Sequence, residues 1–186
     1  YLTALMYSSS EDEFEIDLKL LNEKDVLLYR IGYQLEGKKL IVNGNAGDGV
    51  GDCSKDSEII VNGNAGHFVG YYSKDSEIIV NGNAGDSVGS NSQGSRITVN
   101  GNAGDYVGEN SENSEIRIKG NAGNYVGYYS KDSEITVNGN AGDCVGSNSN
   151  DSEIRIKEEY ESISDYMGKG TKIYQFRNGS WEEVKR

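Results

Sequence analysis

The chain of 186 residues contains no proline, although average usage would place about nine in a chain of this length. Each proline deletes a backbone donor, so its absence fits a structure in which nearly every N–H is given to a neighbouring strand. Large apolar side chains are scarce as well, with one Trp and three Phe set against 13 Tyr and 25 Gly. A large apolar core of the usual kind cannot be assembled from these, and stability has to come from regular pairing. Two cysteines, Cys53 and Cys144, and one histidine, His67, are too few for a thiolate–imidazole metal site or a disulfide framework. Lys and Arg number 18 against 30 Asp and Glu, for a net charge of −12. Nucleic acid and anionic membrane surfaces need basic patches that this composition does not supply. The opening "YLTALMYSSSEDEF" lacks a basic region followed by a long apolar stretch, and no later segment approaches a membrane span. A soluble, cytoplasmic protein is expected.

What the chain does have is a repeat. GNAG begins at Gly44, Gly63, Gly82, Gly101, Gly120 and Gly139, always stepping from position n to n+19, and each copy runs on to a Val-Gly pair. The second and third glycines of the unit are Gly47 and Gly51, Gly66 and Gly70, Gly85 and Gly89, Gly104 and Gly108, Gly123 and Gly127, and Gly142 and Gly146. The unit reads G-N-A-G-x-x-V-G-x-x-S-x-x-S-E-I-x-[VI]-[NK]. A fixed short period of this kind marks a solenoid, in which each unit buries its apolar side only against its neighbours. Glycine at three positions per unit argues against helix and serves the tight corners of a coil.

The second half of the unit alternates as a half-buried strand does. Ile59, Ile78, Ile97, Ile116, Ile135 and Ile154 form one inward ladder, and Val61, Val80, Val99, Ile118, Val137 and Ile156 another. The outward positions Ile60, Ile79, Thr98, Arg117, Thr136 and Arg155 turn polar along the chain. Ala46, Val50 and their equivalents add further inward positions. The expected fold is all-β: a single-stranded parallel β-helix of seven or eight coils, roughly 35 to 40 Å long at strand spacing, capped at both ends. Residues 1–29 form the N-terminal cap, with the strand-like "FEIDLKL" at residues 14–20. Residues 30–157 are the repeats, beginning with a degenerate coil that has Ile31-Gly32 in place of Val50-Gly51. Residues 158–186 form the C-terminal cap, with a hairpin turning at Asn178-Gly179 and with Tyr174, Phe176 and Trp181 as a plug.

Three polar ladders run along this coil: Asn45 and its equivalents, Ser54 and its equivalents, and Ser57 and its equivalents. Stacked identical amides or hydroxyls can each donate to one neighbour and accept from the other, which makes these ladders structural. Arg96 interrupts a ladder of glutamates, Glu58, Glu77, Glu115, Glu134 and Glu153, and with Arg117 and Arg155 relieves its repulsion. A phosphate loop would need a helix after the glycines, and another coil follows instead. Asp48, Asp86, Asp105 and Asp143 share a ladder with His67 and Asn124. Neighbouring carboxylates about 5 Å apart could serve a glycosidase or hold Ca²⁺, or could simply accept from corner N–H groups. Phe68, Tyr71, Tyr72, Tyr106, Tyr125, Tyr128 and Tyr129 form an outward aromatic group. They are the candidate partner surface, because tyrosine is favoured at interface centres. Coils two and three match coils five and six, so the array reads as a block of three coils copied once.

The spacing G-x-x-G-x-x-x-G of Gly44, Gly47 and Gly51, with five more copies each followed by a strand, resembles the GXGXG repeat family. That family includes the C subunit of formylmethanofuran dehydrogenase and the C-terminal domain of the glutamate synthase large chain. "GNAGDYVG" at Gly101 is especially close to the dehydrogenase version, and the resemblance covers roughly residues 30 to 157. It implies a right-handed parallel β-helix acting as a non-catalytic scaffold beside the cofactor-bearing parts of a larger redox or amidotransferase enzyme. On this reading no catalytic residue, cofactor or metal belongs to the chain itself. Its partners are other protein subunits, with self-association left open. The alternative is a carbohydrate-active or Ca²⁺-binding solenoid that uses the aspartate ladder.

Overall fold

The computed structural model describes residues 9–184. Residues 1–8, part of the opening stretch, and residues 185–186, the end of the hairpin segment, lie outside them. The alternating half of each unit forms one short strand per coil: β1 (Glu13–Asp17), β2 (Lys39–Asn43), β3 (Glu58–Asn62), β4 (Glu77–Val80), β5 (Arg96–Val99), β6 (Glu115–Ile118), β7 (Glu134–Val137) and β8 (Glu153–Ile156), followed by β9 (Lys172–Arg177) and β10 (Ser180–Glu183). Strands β1 to β9 stack as parallel neighbours in chain order, and β10 folds back antiparallel on β9. From β2 onward the parallel register places n over n+19, as in Ile78 over Ile59 and Ile97 over Ile78. A second parallel ladder, from Glu36 through Lys55, Lys74, Gln93, Glu112 and Lys131 to Asn150, marks about seven turns. The chain is therefore the all-β single-stranded solenoid that its period predicts.

The interior is narrow. Each coil points six side chains inward, as Ala84, Val88, Ser92, Ser95, Ile97 and Val99 do, and all six are buried. The two walls are so close that isoleucine reaches the opposite corner. A Cβ on Gly70 would lie 2.6 Å from Ile97 Cδ1, and one on Gly108 would lie 2.5 Å from Ile135 Cδ1. Left-handed backbone alone does not demand glycine here, since Tyr106, Asn110 and Asn113 of the Gly108 coil also have φ of 60°, 50° and 50°. The third glycine of the unit is kept because its missing side chain makes room for isoleucine.

The polar ladders stack as expected but bond differently. Asn64 N–H donates to Asn45 Oδ1 at 2.8 Å, and the same backbone-to-side-chain bond recurs up to Asn140. These amides tie corners together and do not pair with one another. Amide-to-amide bonds occur instead at the end of the strand, where Asn62 and Asn81 Nδ2 donate to Asn43 and Asn62 Oδ1 at 2.8 Å. The serines of the Ser57 ladder also serve the backbone: Ser114 Oγ accepts from Ser95 N–H at 3.3 Å and donates to Glu112 O at 3.1 Å. Corner N–H groups such as those of Asn64 and Ser95 thus find an acceptor one coil away.

Both ends differ from expectation. The strand expected over residues 14–20 stops at Asp17. Leu18 then turns inward, and a single helical turn, α1 (Lys19–Asn22), carries Asn22 to the foot of the asparagine ladder, where its Oδ1 accepts from Asn45 N–H at 2.6 Å. At the other end, Tyr174, Phe176 and Trp181 do not plug the coil. Strand alternation places them opposite Ile173, on the outer face, where Phe176 and Trp181 meet edge-on at 5.4 Å and Tyr174 pairs with Arg155. Ile173, Ile163 and Met167 close the core instead. The arginines relieve the glutamate ladder as expected: Arg96 and Arg117 bind Glu115 at 2.9 and 2.7 Å, and Arg155 bridges Glu134 and Glu153. Being solvent-screened, these pairs remove repulsion more than they add stability.

Candidate functional site

One corner of the solenoid gathers all seven aromatic residues of the expected partner surface. Three columns, each stepping from n to n+19, build it: one runs Gly49, Phe68, Ser87, Tyr106, Tyr125, Cys144, the next Asp52, Tyr71, Ser90, Glu109, Tyr128, Ser147, and the third Cys53, Tyr72, Asn91, Asn110, Tyr129, Asn148. The serine and asparagine coil at Ser87, Ser90 and Asn91 divides the aromatic surface into two clusters. In the first, Phe68 meets Tyr71 at 5.5 Å and Tyr71 meets Tyr72 at 4.5 Å. In the second, Tyr106 stacks on Tyr125 at 5.0 Å with planes 3° apart, while Tyr128 meets Tyr125 at 5.6 Å and Tyr129 at 4.4 Å.

The backbone of this corner is unusual. Phe68, Tyr72, Tyr106, Tyr125 and Tyr129 all have left-handed φ, between 51° and 62°. For an L-residue this conformation costs roughly 1–2 kcal/mol, least for asparagine and glycine. The third column shows the economical solution at three of its six positions, Asn91, Asn110 and Asn148, with Cys53 as the one residue that is neither asparagine nor tyrosine. Tyr72 and Tyr129 are 54% and 49% exposed and Phe68 is 45% exposed, so core burial does not offset the strain. The Tyr71 and Tyr128 phenols are held protonated. Burial, and then its neighbour Tyr72, push the Tyr71 phenol up, and the hydrogen bond with Tyr129, followed by burial, does the same for Tyr128.

A cleft of about 420 Å³ opens at the N-terminal end of the corner, lined by Tyr29, Arg30, Asp48, Gly49, Asp52, Phe68 and Tyr71. Tyr29, Arg30 and Asp52 were not singled out in the sequence. Their signal was present, since Tyr29-Arg30 precedes Ile31-Gly32 as Asp48-Gly49 precedes Val50-Gly51. Arg30 bridges to Asp52 at 2.7 Å and lies 3.9 Å over the Tyr33 ring. Cys53 Sγ donates to the other Asp52 oxygen at 3.1 Å. Burial first, and then Asp52, push the Cys53 thiol up to about 11. Set against an ordinary protein thiol, this means about 100-fold less thiolate at neutral pH. In a Cys144→Ser background, Cys53 is expected to alkylate with iodoacetamide about 100-fold more slowly than free cysteine at pH 8. A rate within a few-fold of free cysteine would contradict this environment.

The carboxylate ladder is committed to the backbone. Asp48 Oδ1 accepts from His67 N–H at 2.9 Å, His67 Nδ1 from Asp86 N–H at 2.9 Å, Asp86 Oδ1 from Asp105 N–H at 2.9 Å and Asp105 Oδ1 from Asn124 N–H at 2.7 Å. The Asp86 carboxylate also lies 3.3 Å from His67 Nδ1. Among the described residues no three His, Cys, Asp or Glu side chains are grouped to hold a metal ion. Both cysteines are free thiols. Among the described residues no helix is long and apolar enough to cross a membrane. No protein-family model and no curated protein matches the chain.

Proposed function

We propose that the chain is a non-catalytic scaffold, a β-solenoid that holds other protein subunits against its aromatic corner. The observation that carries this reading is the row of exposed aromatic rings kept in left-handed backbone, where asparagine would be less strained. A side chain that neither fills the core nor suits its backbone adds surface for contact, and tyrosine supplies a large, stiff and amphipathic one. In the aspartate ladder one carboxylate oxygen of each of Asp48, Asp86 and Asp105 accepts a corner N–H, which gives these residues a structural task consistent with the same reading. Resemblance to the GXGXG repeats points to a redox or amidotransferase enzyme as the larger assembly, with the cofactors carried by its other subunits.

The test combines stability with capture. Tyr72→Asn and Tyr129→Asn each relieve backbone strain and each lose one ring contact, so stability is expected to change by less than about 1 kcal/mol. Affinity capture from the native cell is expected to recover a defined protein set with the parent chain and to lose most of it with the double variant. Equal capture by both chains would remove the corner from the interface. A parent chain that remains alone would remove the scaffold role.

A further inference from the structure

The two aromatic clusters are copies of one arrangement, set three coils apart along the chain. Phe68 and Tyr71 meet at 5.5 Å and 65°, and their counterparts Tyr125 and Tyr128 at 5.6 Å and 64°. Asp48 and Asp52 correspond to Asp105 and Glu109, so the flanking carboxylates are retained too. The difference lies one coil below. In the second cluster Tyr106 lies flat against Tyr125 at 5.0 Å and 3°, and edge-on to Tyr128 at 6.4 Å and 62°. In the first cluster the same place belongs to Gly49, and the space is the 420 Å³ cleft.

We infer that the cleft at Gly49 is a binding slot for a phenol ring, which would sit against Phe68 and Tyr71 as Tyr106 sits against Tyr125 and Tyr128. The protein displays the site in both states, filled by its own side chain in one copy and open in the other. The cleft is within the size range of small-molecule sites, and its lining has three aromatic residues, Tyr29, Phe68 and Tyr71, with Arg30, Asp48 and Asp52 as its charged groups. A carboxylate offers about four acceptor positions, of which Asp48 uses one for His67 N–H, leaving capacity for a phenolic O–H. The inference does not rest on the docking function proposed above.

The experiment is an NMR titration of the full chain with para-cresol and, separately, with N-acetyltyrosinamide. Saturable shifts at Gly49 and Phe68 are expected with para-cresol, with Kd on the order of 1 mM for so small a ligand. Gly49→Tyr fills the slot once Arg30, whose Cγ lies 3.0 Å from the Gly49 Cβ position, swings aside, and it is expected to weaken binding at least about tenfold; Tyr106 at φ 60° shows that the backbone of this column carries tyrosine. Tyr106→Gly is expected to open a second slot, doubling the stoichiometry, with new shifts at Tyr125, and it carries the test should the first variant fold poorly. Binding of both probes assigns the natural ring to a polypeptide side chain, and binding of para-cresol alone assigns it to a free small phenol. No saturable shift at Gly49, binding unchanged in Gly49→Tyr, or no second site in Tyr106→Gly would overturn the inference.

Discussion

Replacing Gly108 with alanine is expected to lower stability by about 3 kcal/mol, combining left-handed strain with overpacking. The added Cβ would lie 2.5 Å from Ile135 Cδ1 and 3.2 Å from Ile116 Cδ1, inside a core with no slack. Gly37→Ala is the control, because Gly37 has a similar φ of 64° but nothing within 4 Å of its Cβ position. That substitution should cost only about 1 kcal/mol. Urea unfolding of the two variants separates steric from conformational cost. Equal losses would mean that the glycine column is there for backbone geometry alone.

The second large effect is the converse one. Ile97→Ala removes the side chain whose Cδ1 reaches the Gly70 corner, and the facing glycine has nothing with which to fill the gap. A loss of about 3–4 kcal/mol is expected, at the upper part of the range for such truncations, because rigid pairing on both sides prevents collapse. Ile79→Ala, on the outer face of β4, should cost less than about 1.5 kcal/mol. Since each coil touches only its neighbours, the inner variant should also make the unfolding transition less cooperative. A small loss from Ile97→Ala would mean that the walls are free to close.

Much of this architecture was legible because the chain repeats. A column such as Ile59, Ile78, Ile97 shows inside and outside directly, and the constant step from n to n+19 states the register. Bonding mode was less accessible. Knowing that Asn45 lies beneath Asn64 does not say whether the amide meets the next amide or the next backbone N–H. That choice depends on corner dihedrals, and left-handed backbone at Tyr72 or Tyr129 has no signature when the residue is not glycine. The ends were hardest, because Leu18 and Asn22 belong to a stretch that departs from the consensus, and Ile173, although it continues the Ile154 column at n+19, follows a segment without the GNAG unit. The cleft escaped notice for the opposite reason. Gly49 resembles one more glycine in a glycine-rich chain until the ring of Tyr106 shows what normally stands there.

The aromatic corner, the cleft and the core all follow from one claim, that residue n lies over residue n+19, so that backbone bonds join adjacent coils at steps of 18 to 20 residues. Scalar couplings across hydrogen bonds measure this directly. Couplings are predicted from the amide nitrogens of Gly101, Gly120 and Gly139 to the carbonyl carbons of Gly82, Gly101 and Gly120, whose N–O separations are all 2.9 Å. Couplings from these amides to carbonyls at any other spacing, or protection patterns typical of helix, would contradict the account.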